Sequence, residues 1–72
     1  MDAIQVGRRL RNGAVYLLEE LEEVVVRNLP GTTEFRARFP SGHEYALHYG
    51  TKIVTNACLE WNEITKHQYE RF

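Results

Sequence analysis

Two alternating runs separated by a three-residue break constrain this chain more than any other feature. Phe35, Ala37 and Phe39 alternate with Glu34, Arg36 and Arg38; His43, Tyr45, Leu47 and Tyr49 alternate with Glu44, Ala46 and His48. A period of two sends successive side chains to opposite faces of a strand, so each run is a strand with unlike faces. Between them, Pro40-Ser41-Gly42 combines a fixed φ with a residue free to take positive φ, which suits a tight reversal. The pair predicts a β-hairpin. In a chain of 72 residues, the aromatic face of that hairpin is the one large surface on which helices can bury their own apolar stripes.

The flanking segments are read against this hairpin. Val15, Leu18, Leu21 and Val25, with Leu17 and Val24, recur at spacings of three and four, with glutamates opposite. That pattern predicts a helix over 14–22, entered from Asn12 or Gly13. Glutamates late in a helix oppose its dipole, and Val24-Val25-Val26 is β-branched, so the helix should run into a strand over 23–28. Leu29-Pro30-Gly31-Thr32 reads as a turn. After the hairpin, Thr51 can cap a helix carrying Ile53, Val54, Ala57, Cys58 and Trp61 on one stripe. The β-branched Ile53-Val54-Thr55 keeps a fourth strand over 52–59 as the competing reading. Ile64-Thr65 then serves as linker and cap for a last short helix with Tyr69 and Phe72. Residues 1–12 have no sustained period and end on the strong break Asn12-Gly13, so they read as a flexible basic arm before a single compact domain over 13–72. The expected fold is α+β: a three-stranded antiparallel sheet with two or three short helices packed on its aromatic face. Glu34, Arg36, Arg38, Glu44, Ala46 and His48 would then face water.

Composition narrows the function classes. The apolar share of 43% suits a folded domain. The longest apolar runs fall far short of a membrane span, and Asp2, Gln5, Arg8 and Arg9 interrupt any signal core, so a soluble protein with no membrane partner is expected. Cys58 is the sole cysteine, which excludes an internal disulfide and favours a reducing cytoplasm. A net charge of −1 lacks the basic excess of a dedicated nucleic-acid binder, so direct nucleic-acid binding is not expected. Charge is instead polarised, with Arg8, Arg9 and Arg11 in the arm followed by Glu19, Glu20, Glu22 and Glu23. Such asymmetry suits an electrostatically guided contact.

No residue pattern points to catalysis, a cofactor or a metal. His43 and His48 are five apart on one strand and fall on opposite faces, so they cannot chelate one ion. Cys58 lies in an apolar stripe as a small hydrophobe, and His67 sits among Lys66 and Gln68 as a surface residue. A solvated helix face accounts for the glutamates without acid–base chemistry. The five glycines form no phosphate-binding loop. Arg27, Arg36, Arg38 and His48 are the best nucleic-acid candidates, and a module using the Arg36/Arg38 sheet face is the alternative function. Its weakness is that stacking aromatics would lie on the other face, leaving cross-strand pairing with Glu34 and Glu44 as the simpler use.

The arm remains. Ile4, Val6 and Leu10 are apolar residues without an evident place in the core, and Arg8, Arg9 and Arg11 add donors for carboxylates or phosphates. Such a segment can order on a partner. The arm Asp2-Ala3-Ile4-Gln5-Val6-Gly7-Arg8-Arg9-Leu10-Arg11, followed by the compact remainder from Val15 to Phe72, resembles the small transcription regulators of lytic Xanthomonas phages over its full length. The resemblance implies a monomer in the host bacterial cytoplasm that binds the large subunits of RNA polymerase near where sigma docks. It implies inhibition of host initiation through loss of sigma. It makes Ile4, Val6, Arg8, Arg9, Leu10 and Arg11 the partner-binding residues.

Overall fold

The computed structural model describes residues 2–40 and 42–72. It is α+β, with the order α1 (Ala3–Asn12), β1 (Tyr16–Glu19), β2 (Val24–Asn28), β3 (Glu34–Arg38), β4 (Glu44–His48), α2 (Lys52–Glu60), β5 (Asn62–Ile64) and α3 (Lys66–Glu70). The strands form one antiparallel sheet in the order β4-β3-β2-β1-β5. The predicted hairpin is β3–β4, in register Phe35 to Leu47 and Ala37 to Tyr45. Gly42 takes φ +87° at its reversal, and Gly31 takes φ +79° in the turn before it. Ser41, inside the predicted Pro40-Ser41-Gly42 turn, and Met1 lie outside the described residues. Of the two readings of 52–59, the helix is observed, with Thr51 accepting from the Val54 N–H.

The sheet has five strands where three were expected. The predicted helix over 14–22 is instead β1, whose burial alternates strictly: Val15, Leu17 and Glu19 are buried while Tyr16 and Leu18 are half-buried. Glu19 disguised the alternation by placing a carboxylate at a core position. That carboxylate is fully buried because it closes the β1–β2 turn, accepting from the N–H groups of Leu21 (3.2 Å) and Glu22 (2.7 Å). The fifth strand, β5, occupies part of the expected linker and pairs Ile64 with Tyr16. Trp61 caps α2 in the left-handed region at φ 53°, reversing the chain into β5.

The arm is also corrected: residues 3–12 are helical. Asp2 and Gln5 form a capping box, in which the Asp2 side chain accepts from the Gln5 N–H while the Gln5 side chain accepts from the Asp2 N–H. This satisfies two donors that otherwise have no partner in the first turn.

The helices do not share one face. Leu17, Val26, Ala37 and Ala57 form one core cluster, against which Leu10, Ile53, Cys58 and Trp61 pack, so α1 and α2 cover that side. The other side carries α3: the Tyr69 ring packs on Tyr16 at 5.5 Å, and Arg38 Nη1 donates to the Glu70 carbonyl at 2.9 Å. The face expected to be wholly solvated therefore has a second, smaller apolar layer, in which Val25 and Tyr69 are buried.

Candidate macromolecular interface

Helix geometry divides the six residues predicted to bind a partner. Positions three and four apart share a face, so Ala3, Val6, Gly7 and Leu10 form one stripe and Ile4, Arg8 and Arg11 another. Val6 and Leu10 are half-buried, and Leu10 packs against the core. Ile4 is 70% exposed, and Arg8 and Arg11 are exposed beside it. Arg9 lies between the stripes and is engaged: it ion-pairs with Glu63 of β5 and stands 5.7 Å from the centre of the Trp61 ring. Ile4, Arg8 and Arg11 are brought together as a surface, whereas Leu10 and Arg9 hold α1 in place and Val6 lines a cleft beside α2.

The attachment depends on a residue that sequence reasoning missed. Asn28, 3% exposed at the end of β2, accepts from the Val15 N–H (2.7 Å) through Oδ1. Its Nδ2 donates to the carbonyls of Leu10 (2.7 Å) and Gly13 (3.2 Å). One amide thus ties the last turn of α1 to the sheet and satisfies three buried or half-buried backbone groups. An Asn closing the β-branched run, on the same strand face as Val24 and Val26, was the available signal.

The arginines of the opposite face are engaged within the fold. Arg27 donates to Glu44 through Nε (3.0 Å) and Nη2 (3.2 Å), and Tyr69 Oη donates to the same carboxylate at 2.7 Å. Arg38 reaches the carbonyls of Glu70 and Gly42 and lies 5.7 Å from the Tyr69 ring centre. Arg36 donates to the Phe35 carbonyl. α3 stands over Arg38 and Arg27 is paired with Glu44, so that part of the face is covered, while Glu34, Ala46 and His48 on the same face stay exposed.

This network perturbs its members in opposite senses. The hydrogen bond from Arg27 holds the Glu44 carboxyl below its ordinary value, outweighing burial, and the same bond raises Arg27. Burial, reinforced by Glu44, pushes the Tyr69 hydroxyl up. A lowered carboxyl stabilises the fold above its unfolded value and loses that contribution as pH falls through the native one. The stability advantage of wild type over Glu44→Gln should therefore be full at neutral pH and shrink below about pH 4.5, the ordinary value. The raised tyrosine acts at the other end, its contribution present below pH 10.0 and lost as pH climbs toward the native value. Urea unfolding of both proteins from pH 3 to 7 checks the acid limb; an unchanged difference would exclude the carboxylate as its source.

The remaining chemistry is sparse. A cleft of about 270 Å³ between α1 and α2 is lined by Ala3, Val6, Tyr49, Val54, Thr55, Cys58 and Leu59. Its Cys58 thiol is half-buried, and burial pushes its pKa up, away from the reactive thiolate. Among the described residues, no three His, Cys, Asp or Glu side chains converge on a possible metal position, and no helix is long and apolar enough to cross a membrane. Against family models, curated proteins and solved structures, the chain finds no match.

Proposed function

We propose that this protein is a non-enzymatic inhibitor of bacterial transcription that binds the large subunits of RNA polymerase and interferes with sigma-dependent initiation. The observation that carries the binding role is the stripe of Ile4, Arg8 and Arg11: one large apolar side chain flanked by two guanidinium groups, on a helix whose opposite stripe meets the core. An exposed apolar residue beside arginines is the composition of an interface anchor, since arginine supplies both planar hydrogen bonding and charge. The polymerase as partner rests on the whole-chain resemblance to phage transcription regulators. Inhibition of this kind needs no chemistry from the inhibitor, only competition with sigma or a shift in its binding equilibrium.

Substitutions on the outer stripe test this better than removal of residues 1–11, because Leu10 and its carbonyl belong to the packed structure. Ile4→Asp is well suited, since an acidic residue in the first turn favours the helix. Purified RNA polymerase holoenzyme should retain less sigma and initiate less at a sigma-dependent promoter when wild-type protein is added. Ile4→Asp and the double change Arg8→Ala/Arg11→Ala should each weaken polymerase binding by about tenfold or more, with the helical circular dichroism unchanged. Full inhibition by all these variants would remove the α1 stripe from the mechanism, and no complex with polymerase would end the assignment.

A further inference from the structure

The two edges of the sheet are unequal. On one side, β5 is three residues long. On the other, β4 runs for five residues, Glu44-Tyr45-Ala46-Leu47-His48, with no lysine or proline and, among the described residues, no neighbouring strand to block it. Four of its five residues are exposed, and Leu47 is half-buried. Natural sheets usually shorten or charge such an edge, because its unpaired N–H and C=O groups are a template for another strand.

The direction of those groups can be derived. The Tyr49 N–H donates to the Thr33 carbonyl across the hairpin, so Tyr49 and, by alternation, Leu47 and Tyr45 turn their backbone groups toward β3. Glu44, Ala46 and His48 therefore turn theirs outward. We propose that the occupant of this edge is a second copy of β4, paired antiparallel about a two-fold axis through Ala46.

Only one symmetric register pairs every outward residue. Ala46 meets the second copy's Ala46, and Glu44 meets the second copy's His48, twice over. The register is chemically complementary as well. Each His48 imidazole lies across from a Glu44 whose carboxylate already accepts from Arg27 and Tyr69 of its own copy, with the small Ala46 pair between them. On the other face, each Tyr45, 47% exposed, meets the second copy's Leu47 at the closer kind of antiparallel pair. Any shifted symmetric register leaves outward residues unpaired and loses the Glu44–His48 match. One strand edge buries much less than the roughly 800 Å² per partner of a stable complex, so the protein is monomeric when dilute and dimeric when concentrated.

Sedimentation equilibrium up to millimolar protein tests this, with isotope-filtered nuclear Overhauser spectra to locate the contact. The mass should rise from 8.4 kDa toward twice that value, and cross-peaks should join the Tyr45 ring of one copy to the Leu47 methyls of the other. His48→Glu sets carboxylate against carboxylate in both cross-strand pairs and should weaken association about tenfold. Ala46→Pro deletes an outward N–H without touching the bonds to β3, and should abolish association; unchanged amide shifts in β1 and β2 confirm its fold. Leu59→Ser, at an exposed apolar position away from the edge, should change nothing. A mass fixed at 8.4 kDa throughout, association indifferent to both edge substitutions, or pairing of β4 only with a strand of another protein would each overturn the dimer.

Discussion

Replacing Phe35 by alanine is expected to remove about 3–5 kcal/mol of folding stability, the usual range for emptying a buried aromatic site. Phe35 is 2% exposed and among the largest fully or nearly fully enclosed side chains of the core. Its ring lies 6.1 Å from Tyr49, and Leu47 and Asn28 are its cross-strand neighbours on β4 and β2. The gap cannot easily collapse on the β2 side, because Asn28 is held by backbone pairing toward both β1 and β3. A domain of this size has roughly 4–10 kcal/mol in total, so Phe35→Ala should be largely unfolded at modest denaturant or temperature. Leu59→Ala makes the matched control: Leu59 is 78% exposed, and its loss should fall within about 0.5 kcal/mol. Urea midpoints of the two variants decide the matter; similar midpoints would mean that Phe35 does not anchor the core.

Asn28→Asp should cost about 2–4 kcal/mol although it changes only the amide group to a carboxyl, since it deletes a donor and leaves two acceptors facing a charge. The Oδ1 bond to the Val15 N–H survives the change. The two donated bonds, to Leu10 and Gly13, do not. The damage should therefore be directional, loosening the last turn of α1 from the sheet while β2 keeps its partners. Amide exchange is the appropriate measurement: protection across α1 should fall much further than protection across β1–β3. A uniform loss, or none, would show that α1 is held by something other than this side chain. Because the proposed polymerase contact lies on the outer stripe of the same helix, the variant also separates presentation of that stripe from its composition.

The hairpin was legible because its alternation is undisturbed and its two strands pair with each other, so local pattern and final environment agree. β1 was not, because one of its core-facing positions holds Glu19, and a carboxylate inside a sheet is intelligible only once the turn it closes is known. The capping box at Asp2 and Gln5 was readable in principle. The short apolar spacing behind it resembled a disordered arm until Leu10, Arg9 and Asn28 supplied the missing partners. The same limit applies to the interface. The segment that carries Ile4, Arg8 and Arg11 stands out in the sequence by composition. Their separation from Val6, Arg9 and Leu10 depends on Glu63 and Asn28, distant in the chain and brought near only by the sheet.

The position of α3 at the far end of the chain has a consequence for how the protein comes into being. Tyr16 and Val25 precede in the chain the helix that covers their side of the sheet. The meander can assemble on its α1 and α2 side first, but its second side stays open until α3 docks. That side is therefore completed last, and Tyr69 is the side chain that closes it.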